Sequence, residues 1–260
     1  LEWGIVGSAA ATACSQTLAA ALVVHHICRI KMPFGLHFTK IKIYPEIAGQ
    51  IFTIGIPAAI QSIVITLSNI VVQSNINILG VYSIAAFTAY YKVENFIYLP
   101  IMAIGQACST FISQNIGVGK ITRAKNGTVM SIRFGMIITL FTVAFTLLFA
   151  RYLFSMFTTD PVIIDIGVGI AYVICPFYFL YVLLEVLSSA IRGAGNTLPT
   201  MFIVLLNMCV IRIAILKYIM WVSPDIYSVA VVYPVTWFCT VLTLFWYYRS
   251  ERWNPRKKLA

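Results

Sequence analysis

The sequence predicts an all-α, polytopic membrane protein with about seven transmembrane helices. Hydrophobic residues make up 60% of its 260 residues and charged residues only 10%, against about 25% charged in average soluble domains. The mean hydropathy is +0.91. The few charges border long apolar runs, each close to or beyond the ~20 residues that a membrane-crossing helix needs. A transmembrane β-barrel would instead alternate in polarity over segments of ~10 residues. Disordered, collagen-like and disulfide-rich secreted classes are excluded by the same composition.

Span one is predicted over 3–28, between Glu2 and Arg29. The uncharged stretch from Glu46 to Lys92 is too long for one helix. It breaks at Asn75-Ile-Asn77-Ile-Leu-Gly80, which separates span two (46–74) from span three (82–112). Span four covers 128–150. Thr159-Asp160-Pro161 supplies a cap and then a proline at the first helical position, and so opens span five at 162–190. Asn196-Thr197-Leu198-Pro199 does the same for span six (199–221), and Ser223-Pro224-Asp225 opens span seven (226–248). The longest connection, 31–45, is of the kind that joins two structural units. The expected plan is therefore a last helix of a preceding unit (1–30), a loop (31–45), a six-helix unit (46–250) and a basic tail (251–260). The chain starts at Leu1 with no lead-in to its first helix, so a fragment of a longer protein is expected.

The net charge of +10 invites a nucleic-acid reading, but the positions argue for orientation instead. Arg29, Lys31, Lys40 and Lys42 follow span one; Lys120, Arg123, Lys125 and Arg133 surround the turn after span three. Arg192 follows span five, and Arg249, Arg252, Arg256, Lys257 and Lys258 follow span seven. In an alternating topology all of these share one side. Only Arg151 and Lys217 lie opposite, and Lys92 and Arg212 fall within spans. The positive-inside bias then makes the basic side and the C-terminus cytoplasmic, with anionic lipid as a further contact. Nucleic acid is not an expected partner; the lipid bilayer is. Asn126-Gly-Thr128 forms a glycosylation triplet, but this topology places it inside the cell.

Pro57, Pro100, Pro176 and Pro234 lie inside spans. Each frees a backbone carbonyl, which lipid does not satisfy, so proline-bent helices point to a cavity. Glu94 lies near mid-membrane and Glu185 about two turns before the basic end of span five, and intramembrane carboxylates are functional candidates by default. They can exchange protons or hold Na⁺ transiently. Lys92, two residues from Glu94, points to another helix face. Arg212 lies in the half of span six away from the basic side. Either cation could serve only as a structural partner. Asn69 and Gln73, four apart, and Gln61 offer side-chain amides on span two. Tyr90, Tyr91, Phe177, Tyr178 and Tyr181 could form an aromatic wall for organic cations, although lipid-facing or core packing is the better explanation of such residues. Cys14, Cys28, Cys108, Cys175, Cys209 and Cys239 show no CxxC spacing and read as small packing residues. No metal centre, cofactor motif or catalytic signature is present in the sequence.

The ordered motifs resemble the multidrug and toxic compound extrusion (MATE) family. They are Gly55-Ile-Pro57-Ala-Ala-Ile-Gln61, Ala89-Tyr-Tyr-Lys-Val-Glu94-Asn-Phe96 leading to Pro100, and Gln114-Asn115-Ile-Gly117-Val-Gly119 followed by Arg123-Ala124. Ile191-Arg192-Gly193-Ala-Gly195-Asn-Thr197-Leu-Pro199 joins spans five and six, and Gly4-Ile-Val-Gly7 through Ser15-Gln16 is similar to the family's sixth helix. The resemblance implies a twelve-helix, two-lobe transporter of which this chain carries the sixth helix and the second six-helix lobe. It implies export of small organic cations and drugs across the cytoplasmic membrane, driven by Na⁺ or H⁺, with the N-terminal lobe of the same polypeptide as a missing partner. Two family carboxylate positions do not carry over: they fall on Ile65 and Tyr181 here, with Glu185 one turn beyond the latter. The expected ion and substrate residues are therefore a displaced set: Glu94, Glu185, Asn69, Gln73, Gln61, Tyr91, Tyr181 and Lys92. A lipid-linked oligosaccharide flippase of the same superfamily is the alternative, although a pyrophosphate would ask for more intramembrane cations than Lys92 and Arg212. A seven-helix receptor fits only the helix count, and no enzyme activity is expected.

Overall fold

The computed structural model describes residues 4–29, 42 and 44–254. Among them, seven helical segments are long and apolar enough to cross a membrane. The ten α-helices are α1 (Gly4–Arg29), α2 (Pro45–Ile78), α3 (Val81–Gly117), α4 (Ile121–Leu148), α5 (Ala150–Ser155), α6 (Pro161–Ile174), α7 (Tyr178–Gly193), α8 (Thr197–Leu205), α9 (Arg212–Val222) and α10 (Ile226–Arg249). The chain divides into two units, Leu1–Gly49 and Gln50–Ala260. In the first, α1 is exposed along nearly all of its described side chains. Most of the loop expected over 31–45, with its lysines 31 and 40, lies outside the described residues, as do the tail residues 255–260.

Local chemistry explains where the helices start, stop and break. Asp160 accepts the Val162 amide at 2.9 Å ahead of Pro161, and Asp225 accepts the Tyr227 amide at 3.0 Å. Both are side-chain caps at the helix starts. At the opposite ends of α3 and α7 the chain turns through Gly119 (φ 73°) and Gly195 (φ 83°). There Lys120 N–H bonds the Asn115 carbonyl at 2.8 Å and Asn196 N–H bonds that of Ile191 at 3.1 Å. These paired turns close over left-handed residues, where a side chain would be strained.

Several boundaries differ from the sequence expectation. Helix α2 runs through Asn75 and Asn77 to Ile78, because the polar side chains satisfy each other and the backbone within the helix: Asn75 Nδ2 donates to Val71 O at 2.8 Å and Gln73 Nε2 to Asn77 Oδ1 at 3.1 Å. Helix α4 begins at Ile121, a full two turns before the expected 128, and a short α5 follows it. Span five is two helices, split at Cys175–Phe177 by a tighter turn containing Pro176. Span six contains a π-helical turn, Leu206–Ile211, between α8 and α9.

In the second unit α3 is the central helix, packed against α4, α6 and α7. Phe87, Tyr90, Val93, Ile97 and Ile101 form its buried stripe at helical spacing. Lipid offers no hydrophobic drive for helix association, so close approach depends on small residues. A Cβ on Gly193 would sit 2.5 Å from the Ser109 carbonyl oxygen, which shows how tightly α7 lies on α3. The outer face of α4 is bare, with Phe134, Ile137, Leu140 and Phe141 exposed, as a lipid-facing surface requires. After α10 the chain folds back. Trp253 is buried and stacks on Tyr248 at 5.0 Å, its carbonyl accepts Asn196 Nδ2 at 2.9 Å, and Glu251 pairs with Lys125. The four residues Glu251–Asn254 therefore hold the ends of α4, α7 and α10 together.

Candidate functional site

Five helical segments of the second unit surround a cavity of about 270 Å³. Each contributes residues mostly three or four apart, which is what a single helix face allows, with Glu94/Asn95 and Leu184/Glu185 adjacent. Gln61, Ile65 and Asn69 come from α2; Tyr91, Glu94, Asn95 and Tyr98 from α3; Tyr178, Tyr181, Leu184 and Glu185 from α7. Val204, Met208 and Arg212 descend through α8, the π turn and the start of α9, and Tyr233 and Trp237 come from α10. Val204, Met208 and Arg212 keep a spacing of four through the π turn and stay on the cavity side. Asn207, inside the same turn, faces away and bonds Thr243 Oγ1 at 3.2 Å.

The polar groups on this wall are held differently. Glu94 accepts a hydrogen bond from the Tyr178 hydroxyl. Glu185 is buried and more tightly bound: its Oε1 accepts from Ser189 Oγ at 2.9 Å and from Arg192 Nη2 at 3.0 Å. Arg192 also donates to Ser188 and Ser189, at 3.2 and 2.8 Å. Gly105 of α3 leaves the space that the Glu185 carboxylate occupies; a Cβ there would lie 2.7 Å from Oε1. Arg212 is only 3% exposed. It donates to Asn69 Oδ1 at 3.0 Å and lies 4.8 Å from the centre of the Tyr233 ring. The aromatic wall is continuous: Tyr98 to Tyr181 at 5.7 Å, Tyr181 to Trp237 at 5.2 Å and Tyr178 to Trp237 at 5.0 Å. The hydroxyls of Tyr91 and Tyr233 share a hydrogen bond of 2.9 Å.

Of the residues singled out from the sequence, Glu94, Glu185, Gln61, Asn69, Tyr91, Tyr178 and Tyr181 meet at this cavity. Gln73 does not; its amide is turned along α2 to Asn77. Lys92 lies in an outer groove with Phe96, Leu99 and Pro100, its ammonium 5.4 Å from the Phe157 ring. Tyr90 is packed in the core and Phe177 is partly exposed outside the cavity. Sequence reasoning left out Asn95, Tyr98, Met208, Tyr233 and Trp237 and gave Arg212 no binding role. Tyr98 was within reach of spacing, one turn beyond Glu94. Tyr233 and Trp237, four apart around Pro234, carried a similar signal. Met208 and Arg212, four apart on span six, were within reach of spacing too. Among the described residues no group of three or more His, Cys, Asp or Glu gathers as a metal centre.

Comparisons place this geometry among known proteins. The MatE family model matches residues 57–219. "Probable multidrug resistance protein YoeA" of Bacillus subtilis (strain 168) is 27% identical over 252 residues, covering 95% of this chain and 54% of the relative. "Probable multidrug resistance protein NorM" of Thermotoga maritima is 29% identical over 220 residues, covering 82% of this chain and 46% of the relative. A crystal structure of a MATE protein in its straight conformation superposes with a TM-score of 0.87 at 18% identity, over 98% of this chain and 58% of that one. The chain thus spans about half the length of the curated relatives it matches.

Proposed function

The chain belongs to the MatE family, and from that premise we propose that it works as the second lobe of a cation-coupled exporter of organic cations and drugs. It is a multi-pass membrane protein, and members of its family are transporters. In this reading the complete transporter lies in the cytoplasmic membrane, with the basic loop ends and the C-terminus in the cytoplasm. A first lobe of the length found in the relatives completes the cleft.

One observation carries the proposal: two glutamates and an aromatic wall converge on one cavity inside a membrane-spanning lobe. Carboxyl groups there can take up H⁺ or Na⁺, and aromatic faces attract organic cations. Glu94 is the ion-exchanging carboxyl, because a single phenol holds it and it faces the cavity. Glu185 is the second member, tied to Arg192 toward the basic end. Gln61, Asn69, Tyr91 and Tyr181 line the path of the transported molecule. Ion and substrate compete for the same carboxyl, so each binding event favours the state that releases the other. A flippase for a lipid pyrophosphate is less well supported: Arg212 is the one cation on the described cavity wall, and a pyrophosphate needs several donors.

The test is efflux of a fluorescent organic cation from cells expressing the full-length gene, with Na⁺ present or replaced. Loss of efflux without Na⁺ assigns Na⁺ as the coupling ion; efflux that ignores Na⁺ and collapses with the proton gradient assigns H⁺. Absence of efflux under both conditions overturns the exporter reading. The 260-residue chain alone, reconstituted in liposomes, is expected not to transport, since its cleft would face lipid with polar groups unsatisfied.

A further inference from the structure

Lys92 is a charged side chain on an apolar span that faces away from its own lobe. It is exposed on α3, and among the described residues no carboxylate pairs with it; the ion pairs there are Lys125–Glu251, Arg151–Asp165 and Arg192–Glu185. An unpaired cation within a membrane span is costly unless it reaches the interface or an anion. Side chains on a helix lean toward its N-terminus, so Lys92 leans toward the Val81 end of α3. There its ammonium lies 5.4 Å from the centre of the Phe157 ring. Phe157 belongs to the connection between α5 and α6, beyond the far end of α4 from the basic turn with Lys120 and Arg123. The long stem thus carries the charge toward the polar rim, as lysines near membrane interfaces do. The groove at the ammonium, about 490 Å³, is ordered from polar to apolar. Lys92 and Asn95 share a helix face with Phe96 and Leu99 further along α3, and Pro100 and Phe157 complete the lining. Phe96, Leu99 and Phe157 are all exposed.

We propose that this groove holds one anionic phospholipid, its phosphate on Lys92 and its acyl chain along Phe96 and Leu99, in the leaflet opposite the basic helix ends. The chemistry of the lining selects that occupant. One ammonium and one amide offer a free anion too few donors, whereas an acyl chain adds apolar contact along the same groove. A zwitterionic lipid carries its own ammonium beside the phosphate, and the groove has no carboxylate to receive it. An anionic headgroup leaves a net charge that Lys92 answers. The site requires only a membrane-spanning lobe and holds whichever solute the cavity takes, so lipid occupancy, not efflux, is its readout.

Photolabelling of the full-length transporter tests this. The protein is reconstituted in phosphatidylcholine vesicles containing a trace of phosphatidylglycerol or of phosphatidylcholine, each carrying the same diazirine on its acyl chain. After irradiation and digestion the label is read segment by segment, which separates this groove from the basic helix ends. Segments 96–100 and the peptide containing Phe157 are expected to take about fivefold more label from phosphatidylglycerol, the worth of one lysine facing an anionic headgroup. Lys92→Gln should bring the two lipids level there, and Lys92→Arg should keep the preference. Leu99→Trp, which fills the groove and leaves the charge, should lower labelling by both. Glycerol phosphate, which has the phosphate without the chain, should leave the label in place. Equal labelling of the unaltered transporter by the two lipids overturns the proposal, as does a preference that survives Lys92→Gln. Absence of label from the groove means that the first lobe covers it, and overturns the proposal too. Displacement by glycerol phosphate overturns a lipid as the occupant.

Discussion

The two intramembrane glutamates face one cavity but are held in opposite ways. Glu185 lies at the middle of α7, among neighbours that hold its Oε1: a serine hydroxyl four residues on, an arginine seven residues on, and a glycine on α3 that clears its space. Glu94 lies in the first half of α3, with one phenolic donor, and lines the cavity. Both are single carboxylates in apolar spans and look equivalent in the sequence. In the proposed mechanism it is what its neighbours leave unsatisfied, and not depth alone, that makes Glu94 the exchanging carboxyl. Arg192, 25% exposed in its side chain, supplies Glu185 with a bonded counter-charge; among the described residues no cation is bonded to Glu94, although Arg212 lines the same cavity.

Substitutions at the two carboxylates test this contrast most strongly. In the full-length transporter Glu94→Gln is expected to lower ion-driven efflux by a factor on the order of 10 or more, the scale of a lost coupling between ion and substrate, with the thermal midpoint unchanged. Glu185→Gln should also lower efflux, but it should in addition destabilise the protein by about 1.5–3 kcal/mol, the worth of a charged hydrogen bond. Efflux and melting of the detergent-purified variants separate the two effects, and normal efflux by the double variant would refute both assignments. A smaller effect is expected at the glycines that seat α7 on α3. Gly193→Ala drives a methyl against the Ser109 backbone and should cost about 1–3 kcal/mol in thermal stability. Gly105→Ala meets the movable Glu185 side chain instead, so it should cost less stability and act mainly on efflux. If Gly105→Ala proves the more destabilising, the Glu185 clamp is rigid in a way this contrast does not include.

Tyr178→Phe removes the donor to Glu94 and leaves the carboxyl in place. A neutral hydrogen bond of about 1 kcal/mol corresponds to roughly a fivefold change in the efflux constant, well short of the Glu94→Gln effect. Lys92→Gln is the smallest change. Its ammonium lies over Phe157 in an outer groove, an exposed cation–π contact worth about 0.5–1 kcal/mol, and efflux should remain within about twofold. A large loss of efflux on that substitution would bring Lys92 back into the site.

The helical membrane class and the approximate spans were legible in the sequence because hydrophobic runs, capping residues and clustered charges act locally. Asp160 and Asp225 cap helices where they were expected to, and the glycine-rich turns after α3 and α7 close as their composition requires. The membrane solvent itself enforces this, since any segment crossing it must satisfy its backbone within a helix. Which polar side chains meet was decided only by the tertiary structure. Asn69 and Gln73 share a face by spacing, yet only Asn69 reaches Arg212, because Gln73 finds Asn77 one turn away. Lys92 and Glu94, two residues apart, part company as the helix rotation demands. Arg212 shares a helix face with Val204 and Met208 by spacing, but that this face meets α2, α3, α7 and α10 was settled by the packing. Spans follow from the free energy of single residues in lipid; the cavity follows from how rotated helices settle against one another, which the linear order leaves open.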